Sequence, residues 1–311
     1  MNPIICIAGP TASGKTALAV ELAKELNGEV ISCDSMQIYK YMDIGTAKPT
    51  QEEMQGIPHH MIDVAEPTED FSVSRYCAMA TPILENILSR DKTAIIAGGT
   101  GLYMDSLIRG NDFAPFPSTG CREALEARAE LEGIGVLMNE LQSIDPDTAA
   151  RLHLSDRKRI IRALEIYQET GQTMTAHNLR TQAIPPRYRP IWLGLDFAQR
   201  KHLYDRIDLR VGIMLEQGLL AEIRGLFARG IPAKCTAMQA IGYKEFTGAL
   251  EGYCTVEEAA DLVRQSSRRY AKRQLTWFRR NRDMNWLIRS PERGMDEIIA
   301  EARRIILETD N

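Results

Sequence analysis

Residues 9–16 read Gly9-Pro10-Thr11-Ala12-Ser13-Gly14-Lys15-Thr16, the spacing G-x-x-x-x-G-K-[ST]. Such a loop does one kind of chemistry well: it holds phosphates. Its glycines let the backbone wrap an anion with amide N–H groups turned inward. A helix beginning at its end adds a favourable dipole. Lys15 brings a positive charge and Thr16 a hydroxyl suited to Mg²⁺. The loop does not identify the phosphates, which can belong to a nucleotide, ATP included, or to another diphosphate.

A second group is Asp34, in Asp34-Ser35-Met36-Gln37. A carboxylate ending a strand can serve as a Mg²⁺ partner or a general base, or can simply cap the turn it starts. Thr100, within Gly98-Gly99-Thr100-Gly101-Leu102-Tyr103, is either a helix cap or a site hydroxyl. Arg206 and Arg210 stand one helical turn apart, a spacing able to grip a diphosphate. The cysteines Cys6, Cys33, Cys77, Cys121, Cys235 and Cys254 lie far apart, and the pair His59-His60 has no cysteine cluster behind it. Reduced, structural thiols and no zinc site are expected.

These groups need a scaffold, and the flanking patterns supply one. Residues 3–8 are an apolar run, Lys15–Leu26 reads as a helix, and Glu29–Cys33 and Thr93–Ala97 read as strands. Strands alternating with helices imply a parallel sheet covered on both faces, with ligands at the carboxyl ends of its strands. Gly9–Thr16, Asp34 and Thr100 all fall on that edge.

The alternation breaks near Phe113–Ser118. Helical patterns follow over Arg122–Leu131, Val136–Ser143, Asp147–Leu152 and Asp156–Glu169, until Pro185-Pro186. Strand character returns at Ile191–Leu195 and again at Trp286–Ile288. We therefore expect an α/β fold, a P-loop parallel sheet flanked by helices, with an inserted all-helical domain. The core takes 1–117 and 188–311, with a basic helical C-terminal part, and the insertion takes 118–187.

The net charge of −4 argues against nucleic acid if averaged over the chain. Between Arg264 and Arg282, however, there are Arg264, Arg268, Arg269, Lys272, Arg273, Arg279, Arg280 and Arg282 and no acid. Tyr270, Trp277 and Phe278 are interleaved among them, a composition that can follow a phosphate backbone and stack bases; a solvated basic helix is the plainer alternative. Lys158-Arg159-Ile160-Ile161-Arg162 is a weaker version of the same signal. No stretch is apolar enough for a membrane span, and no cleavable leader precedes the first strand, so a cytoplasmic location is expected.

Taken together, these residues resemble the tRNA dimethylallyltransferase family. The resemblance runs over nearly the whole chain, through Gly9–Thr16, Asp34–Gln37, Asp43-Ile44-Gly45-Thr46-Ala47-Lys48-Pro49, Gly98–Tyr103, Arg159–Glu165, Ala240–Tyr243 and Lys272–Arg279. Met36 and Gly101 stand at positions the family varies. With no zinc-finger tail after Asn311, the bacterial form is implied. The resemblance implies transfer of a dimethylallyl group from dimethylallyl diphosphate to N6 of the adenine immediately 3′ of the anticodon, in tRNAs reading codons that start with U. It implies Mg²⁺ as cofactor, held through Thr16, and a P-loop that grips the diphosphate and not ATP. The partners implied are a tRNA anticodon stem-loop and the diphosphate donor, with no membrane; a monomer is expected.

By matching motif, Asp34 is the general base, Thr100 lies at the reaction channel, Arg210 holds the diphosphate, and Thr11 belongs to the substrate loop. The segments expected to meet tRNA are Asp34-Ser35-Met36-Gln37, Thr100, Arg122, Lys158-Arg159-Ile160-Ile161-Arg162, Gln239-Ala240-Ile241-Gly242-Tyr243-Lys244 and Lys272-Arg273-Gln274-Leu275-Thr276-Trp277-Phe278-Arg279.

The chemistry is consistent with that assignment. An adenine N6 lone pair is delocalised and attacks poorly. It needs a proton acceptor, a stabilised leaving group and exclusion of water from the allylic centre, the last by flipping the base into a channel. A P-loop small-molecule kinase is the rival, using Asp34 to activate a hydroxyl, but it leaves the insertion and the basic helix unexplained. A non-catalytic RNA-binding protein has no need of Asp34, and an adenylate prenyltransferase has little use for the basic surface.

Overall fold

The computed structural model describes residues 3–110, 119–183 and 185–309. The break expected at Phe113–Ser118 lies outside the described residues. Among the described residues six strands are formed: β1 (Ile4–Ala8), β2 (Gly28–Cys33), β3 (His59–His60), β4 (Thr93–Gly98), β5 (Ile191–Phe197) and β6 (Met284–Arg289). They pair in the order β3-β2-β4-β1-β5-β6, all parallel. The helices are α1 (Lys15–Glu25), α2 (Gln51–Met54), α3 (Val73–Ser89), α4 (Gly101–Arg109), α5 (Cys121–Leu131), α6 (Ile134–Ile144), α7 (Pro146–Ala149), α8 (Arg157–Thr170), α9 (Met174–Ala183), α10 (Arg200–Glu216), α11 (Leu219–Ala228), α12 (Tyr243–Leu250), α13 (Val256–Phe278) and α14 (Met295–Thr309). A short 3₁₀ turn, Ala237–Gln239, precedes α12.

The chain divides into two compact units, Met1–Gly110 with Arg187–Asn311, and Asn111–Pro186. The first holds the sheet; the second carries α5 to α9 around its own apolar cluster, with Leu125, Leu137, Leu141, Ile160 and Leu164 inside. Within it, the helix expected over Asp147–Leu152 shortens to α7. No helix among the described residues is long and apolar enough to cross a membrane.

Strand β1 lies between β4 and β5 and is buried along its whole length, which is why Ile4-Ile5-Cys6-Ile7-Ala8 has no polar alternation. On one face, Ile5, Ile7, Ile95 and Leu193 pack against Leu18 and Leu22 of α1 and Ile298, Ala302 and Ile306 of α14. Truncating a fully buried leucine such as Leu18 to Ala costs about 2–5 kcal/mol. Elsewhere in this unit, Tyr76 of α3 stacks on Tyr103 of α4 with ring centroids 4.5 Å apart, and its hydroxyl donates to the Ser32 carbonyl at 3.0 Å.

The pairing register aligns the site. Ala8 and Cys33 both face Gly98, so β1, β4 and β2 end at one level. Neighbouring strands lie about 4.8 Å apart. The segments following these three strands (the P-loop, Gly99-Thr100 and Asp34) therefore emerge side by side across roughly 10 Å of the sheet's carboxyl edge.

Candidate active site

The P-loop joins β1 to α1, whose N-terminus has no side-chain cap and no acid in its first turn. The helix's leading N–H groups are thereby left for an anion. Around the loop the carbonyls are held by cations. Lys15 Nζ donates to Pro10 O at 2.8 Å, Arg206 Nε to Ala12 O at 2.9 Å, and Arg289 Nη1 to Ser13 O at 2.6 Å. Arg210 Nη1 reaches Thr11 Oγ1 at 3.4 Å. Arg206 and Arg210 thus meet the loop from one face of α10.

The charges interact. Burial draws the Lys15 ammonium down to about 8, opposed by the nearby Asp34 carboxylate. Burial also lowers Arg210, again opposed by Asp34, with Arg206 adding to the depression. A concentration of partly desolvated cations beside one carboxylate suits a multiply charged anion. The Ser13 hydroxyl, wholly buried in the loop, has no hydrogen-bond partner among the described residues.

Asp34 performs the plain role and leaves room for the chemical one. Its Oδ1 accepts from Met36 N at 2.9 Å and more weakly from Gln37 N at 3.4 Å, capping the turn it begins. That fixes the plane of the carboxylate, so its other oxygen has a defined direction. Thr100 N donates to Cys33 O at 3.1 Å, and Thr100 Oγ1 accepts from Ser35 N at 3.0 Å. Thr100 therefore ties the end of β4 to the Asp34 turn. The Tyr270 hydroxyl lies beside Thr100 and Gln274, and burial with the Asp34 charge pushes it up to about 12. The phenol therefore stays protonated at neutral pH.

The residues expected to meet tRNA differ in exposure, with Asp34–Gln37, Thr100, Arg162, Ala240, Ile241 and Trp277 half-buried. Lys272, Arg273 and Thr276 of α13 and Arg279 at its C-cap are exposed, as are Gln239, Lys244, Lys158, Arg159 and Arg122. Gln274, Leu275, Phe278, Tyr243, Ile160 and Ile161 are buried. Their side chains do not form an RNA-facing surface, a correction to the expectation that each segment acts as a whole. The reason is helical periodicity: one face of every amphipathic helix packs inward. Ile160 and Ile161 fill the core of the second unit, where Arg122 and Arg162 share Glu165. Tyr243 donates to Glu222 at 2.6 Å, and Glu222 also accepts the backbone amides of Asp43, Ile44 and Gly45, fastening the Asp43–Pro49 loop. Gln37 likewise braces that loop, its Nε2 donating to Ala47 O at 3.0 Å.

Gln274 instead belongs to the cradle. Its Oε1 accepts from Thr11 N at 3.0 Å and its Nε2 donates to Gly99 O at 2.9 Å. A side chain at residue 99 would run into that amide, so a glycine is needed there. Trp277 packs just as closely on Gly101, donates to Asp105 at 2.9 Å, and is covered by the Arg280 guanidinium 3.9 Å from its ring. Sequence reasoning missed Arg289. It is the last residue of the last strand with no motif around it, and the pairing of β6 beside β5 brings it to the loop.

A family model described as IPP transferase matches residues 37–281. The chain belongs to the IPP transferase family. Relatives extend the match to both ends. The chain is 45% identical over 313 residues to a tRNA dimethylallyltransferase of Acetivibrio thermocellus, covering 99% of this chain and 98% of that one. It is 48% identical over 284 residues to one of Alkaliphilus oremlandii, covering 91% and 90%. Among solved structures of the family, the full-length tRNA isopentenylpyrophosphate transferase of Bacillus halodurans superposes with a TM-score of 0.73 at 42% identity, covering 100% of this chain and 98% of that chain. A eukaryotic dimethylallyltransferase acting on tRNA gives 0.85 at 31%, covering 100% and 79%.

Proposed function

We propose that this chain transfers the dimethylallyl group of dimethylallyl diphosphate to the exocyclic N6 of the adenine immediately 3′ of a tRNA anticodon, in tRNAs reading codons that start with U. The observation that carries the reading is the juxtaposition of a cation-lined P-loop with the turn-capping Asp34 carboxylate at the level ends of β1 and β2, which flank β4. Family membership supports it, and the relatives bear the names of that activity.

In this reaction the N6–C bond forms as the allylic C–O bond breaks. Asp34 takes the N6 proton, and the bond electrons leave with the diphosphate. Lys15 and Arg210 neutralise that leaving group, with the N–H groups of the loop and of the start of α1 facing it. The residues fit Mg²⁺: the Thr16 hydroxyl sits on the first turn of α1, and Mg²⁺ takes few protein ligands beside substrate phosphates. When bound, the ion adds charge stabilisation to the departing oxygen. The exposed cations of α13 suit a phosphate backbone, and an anticodon loop offers the unstacked base that a channel requires.

The test incubates the protein with Mg²⁺, labelled dimethylallyl diphosphate and an unmodified tRNA carrying that adenine. Label should enter the RNA without ATP. Replacement of the adenine by guanine should abolish it, since guanine presents O6 in place of the amine. Dependence on ATP, or label persisting on guanine, would overturn the reading in favour of a kinase-like use of the loop.

A further inference from the structure

The loop's carbonyls and amides have a division of labour that extends to a residue outside the motif. Peptide bonds here are trans. A trans peptide directs its C=O and the following N–H to opposite sides. Holding a carbonyl on the outside of the P-loop therefore turns the next amide inward. Peptide 13–14 is the critical one, because it precedes the helix start and Gly14 adopts φ +96°.

Arg289 holds that peptide. Its Nη1 lies 2.6 Å from Ser13 O. It is the last residue of β6, paired in register with Phe197 of β5, and its guanidinium sits 5.4 Å from the Phe197 ring. A Cβ on Gly14 would come within 2.8 Å of the same Nη1 and 2.6 Å of Met295 Cε, so the contact is made against bare backbone. The buried Nε finds no partner among the described residues, so this donor of the fork is not committed elsewhere in the fold.

We propose that Arg289 is a positioning residue for the diphosphate. It locks peptide 13–14 so that the Gly14 amide faces the anion, and it adds a permanent charge behind the loop. Arg206 does the same for Ala12 O from an exposed helix position, whereas Arg289 acts from the sheet itself. The inference rests on the diphosphate reading of the loop given above.

The experiment compares the full-length parent with Arg289→Gln and Arg289→Lys. Binding of inorganic diphosphate with Mg²⁺ is followed by titration calorimetry, beside separate KM values for donor and tRNA. Arg289→Gln should raise the diphosphate Kd and donor KM about tenfold or more, with the tRNA KM within about twofold. Arg289→Lys should lie between, since it keeps the charge but not the planar fork. Should the Gln variant fail to fold by circular dichroism, the Lys variant decides. Diphosphate affinity within about twofold of the parent, or equal rises in both KM values, would overturn the proposal. So would unfolding of both variants, which would assign Arg289 to stability. If the parent transfers no dimethylallyl group yet loses diphosphate affinity on substitution, the functional reading fails and Arg289 keeps its role.

Discussion

Gln274 of α13 binds the backbone of Thr11: its amide oxygen accepts the Thr11 N–H at 3.0 Å, and its amide nitrogen simultaneously holds Gly99 O at 2.9 Å. One buried side chain in the basic helix thus couples the P-loop to the turn that carries Thr100. Gln274→Ala should leave both backbone groups unpaired and lower stability by about 1–3 kcal/mol, read from urea unfolding. Gln274→Glu keeps the acceptor but opposes Gly99 O with a carboxylate. It should raise the donor KM while α13 remains folded. Unchanged stability in both variants would mean the bridge is not made in solution.

Asp34→Ala should slow the chemical step by about 10² to 10⁴ while tRNA affinity stays within a few-fold. Because Asp34 Oδ1 also caps its turn, Asp34→Asn is the informative partner: its side-chain oxygen can still cap, but it is a poor proton acceptor. Rapid-quench single turnovers distinguish the two roles. A fast Asn variant beside a slow Ala variant would make Asp34 a turn residue only.

The exposed face of α13 should act through charge alone. Lys272→Ala with Arg273→Ala should weaken binding of all tRNAs alike and reduce the log–log salt slope by up to about two units. Arg279 is less suitable for this test, since its Nη2 pairs with the largely buried Asp196 at 2.8 Å and its loss would strand that carboxylate. A salt slope equal to the parent's would show the two cations to be merely solvated.

Lys15 predicts an alkaline limit. Burial draws its proton affinity down to about 8, so the free enzyme loses this charge as the pH rises through that value. Below it the ammonium is intact. The donor kcat/KM, which reports the free enzyme, should therefore fall above pH 8 while the tRNA KM changes little. A flat donor profile up to pH 9.5 would remove the Lys15 charge from diphosphate binding.

Some of this protein was determined by local pattern alone. The apolar run before Gly9, the glycine spacing and the helix after Lys15 leave little freedom, because a buried parallel strand feeding a helix has few backbone solutions. The same holds for β2 ending at Asp34 and β4 ending before Thr100. Strand β3, two residues long, is too short to show a pattern, and α3 went unread although Tyr76, Cys77, Ala80, Leu84 and Ile87 form a helical stripe, with the exposed Pro82 in its interior speaking against a helix. Segment-level matches also overreached: Lys272–Arg279 is contiguous in sequence, yet the turn of the helix sends Gln274, Leu275 and Phe278 inward and the cations outward.

What only the tertiary structure decided is which distant groups meet the loop. The order β3-β2-β4-β1-β5-β6 places strands adjacent that are far apart in the chain, and no local propensity encodes that order. It brings Asp34 and Thr100 level with Gly9, hands Thr11 to Gln274 across 263 residues, and sets Arg289 behind Ser13 across 276. The residue types that bind phosphate were legible because their chemistry demands them in one short stretch. The residues that orient that stretch were not, because a hydrogen bond to a backbone carbonyl can be supplied from any element that packing carries within 3 Å.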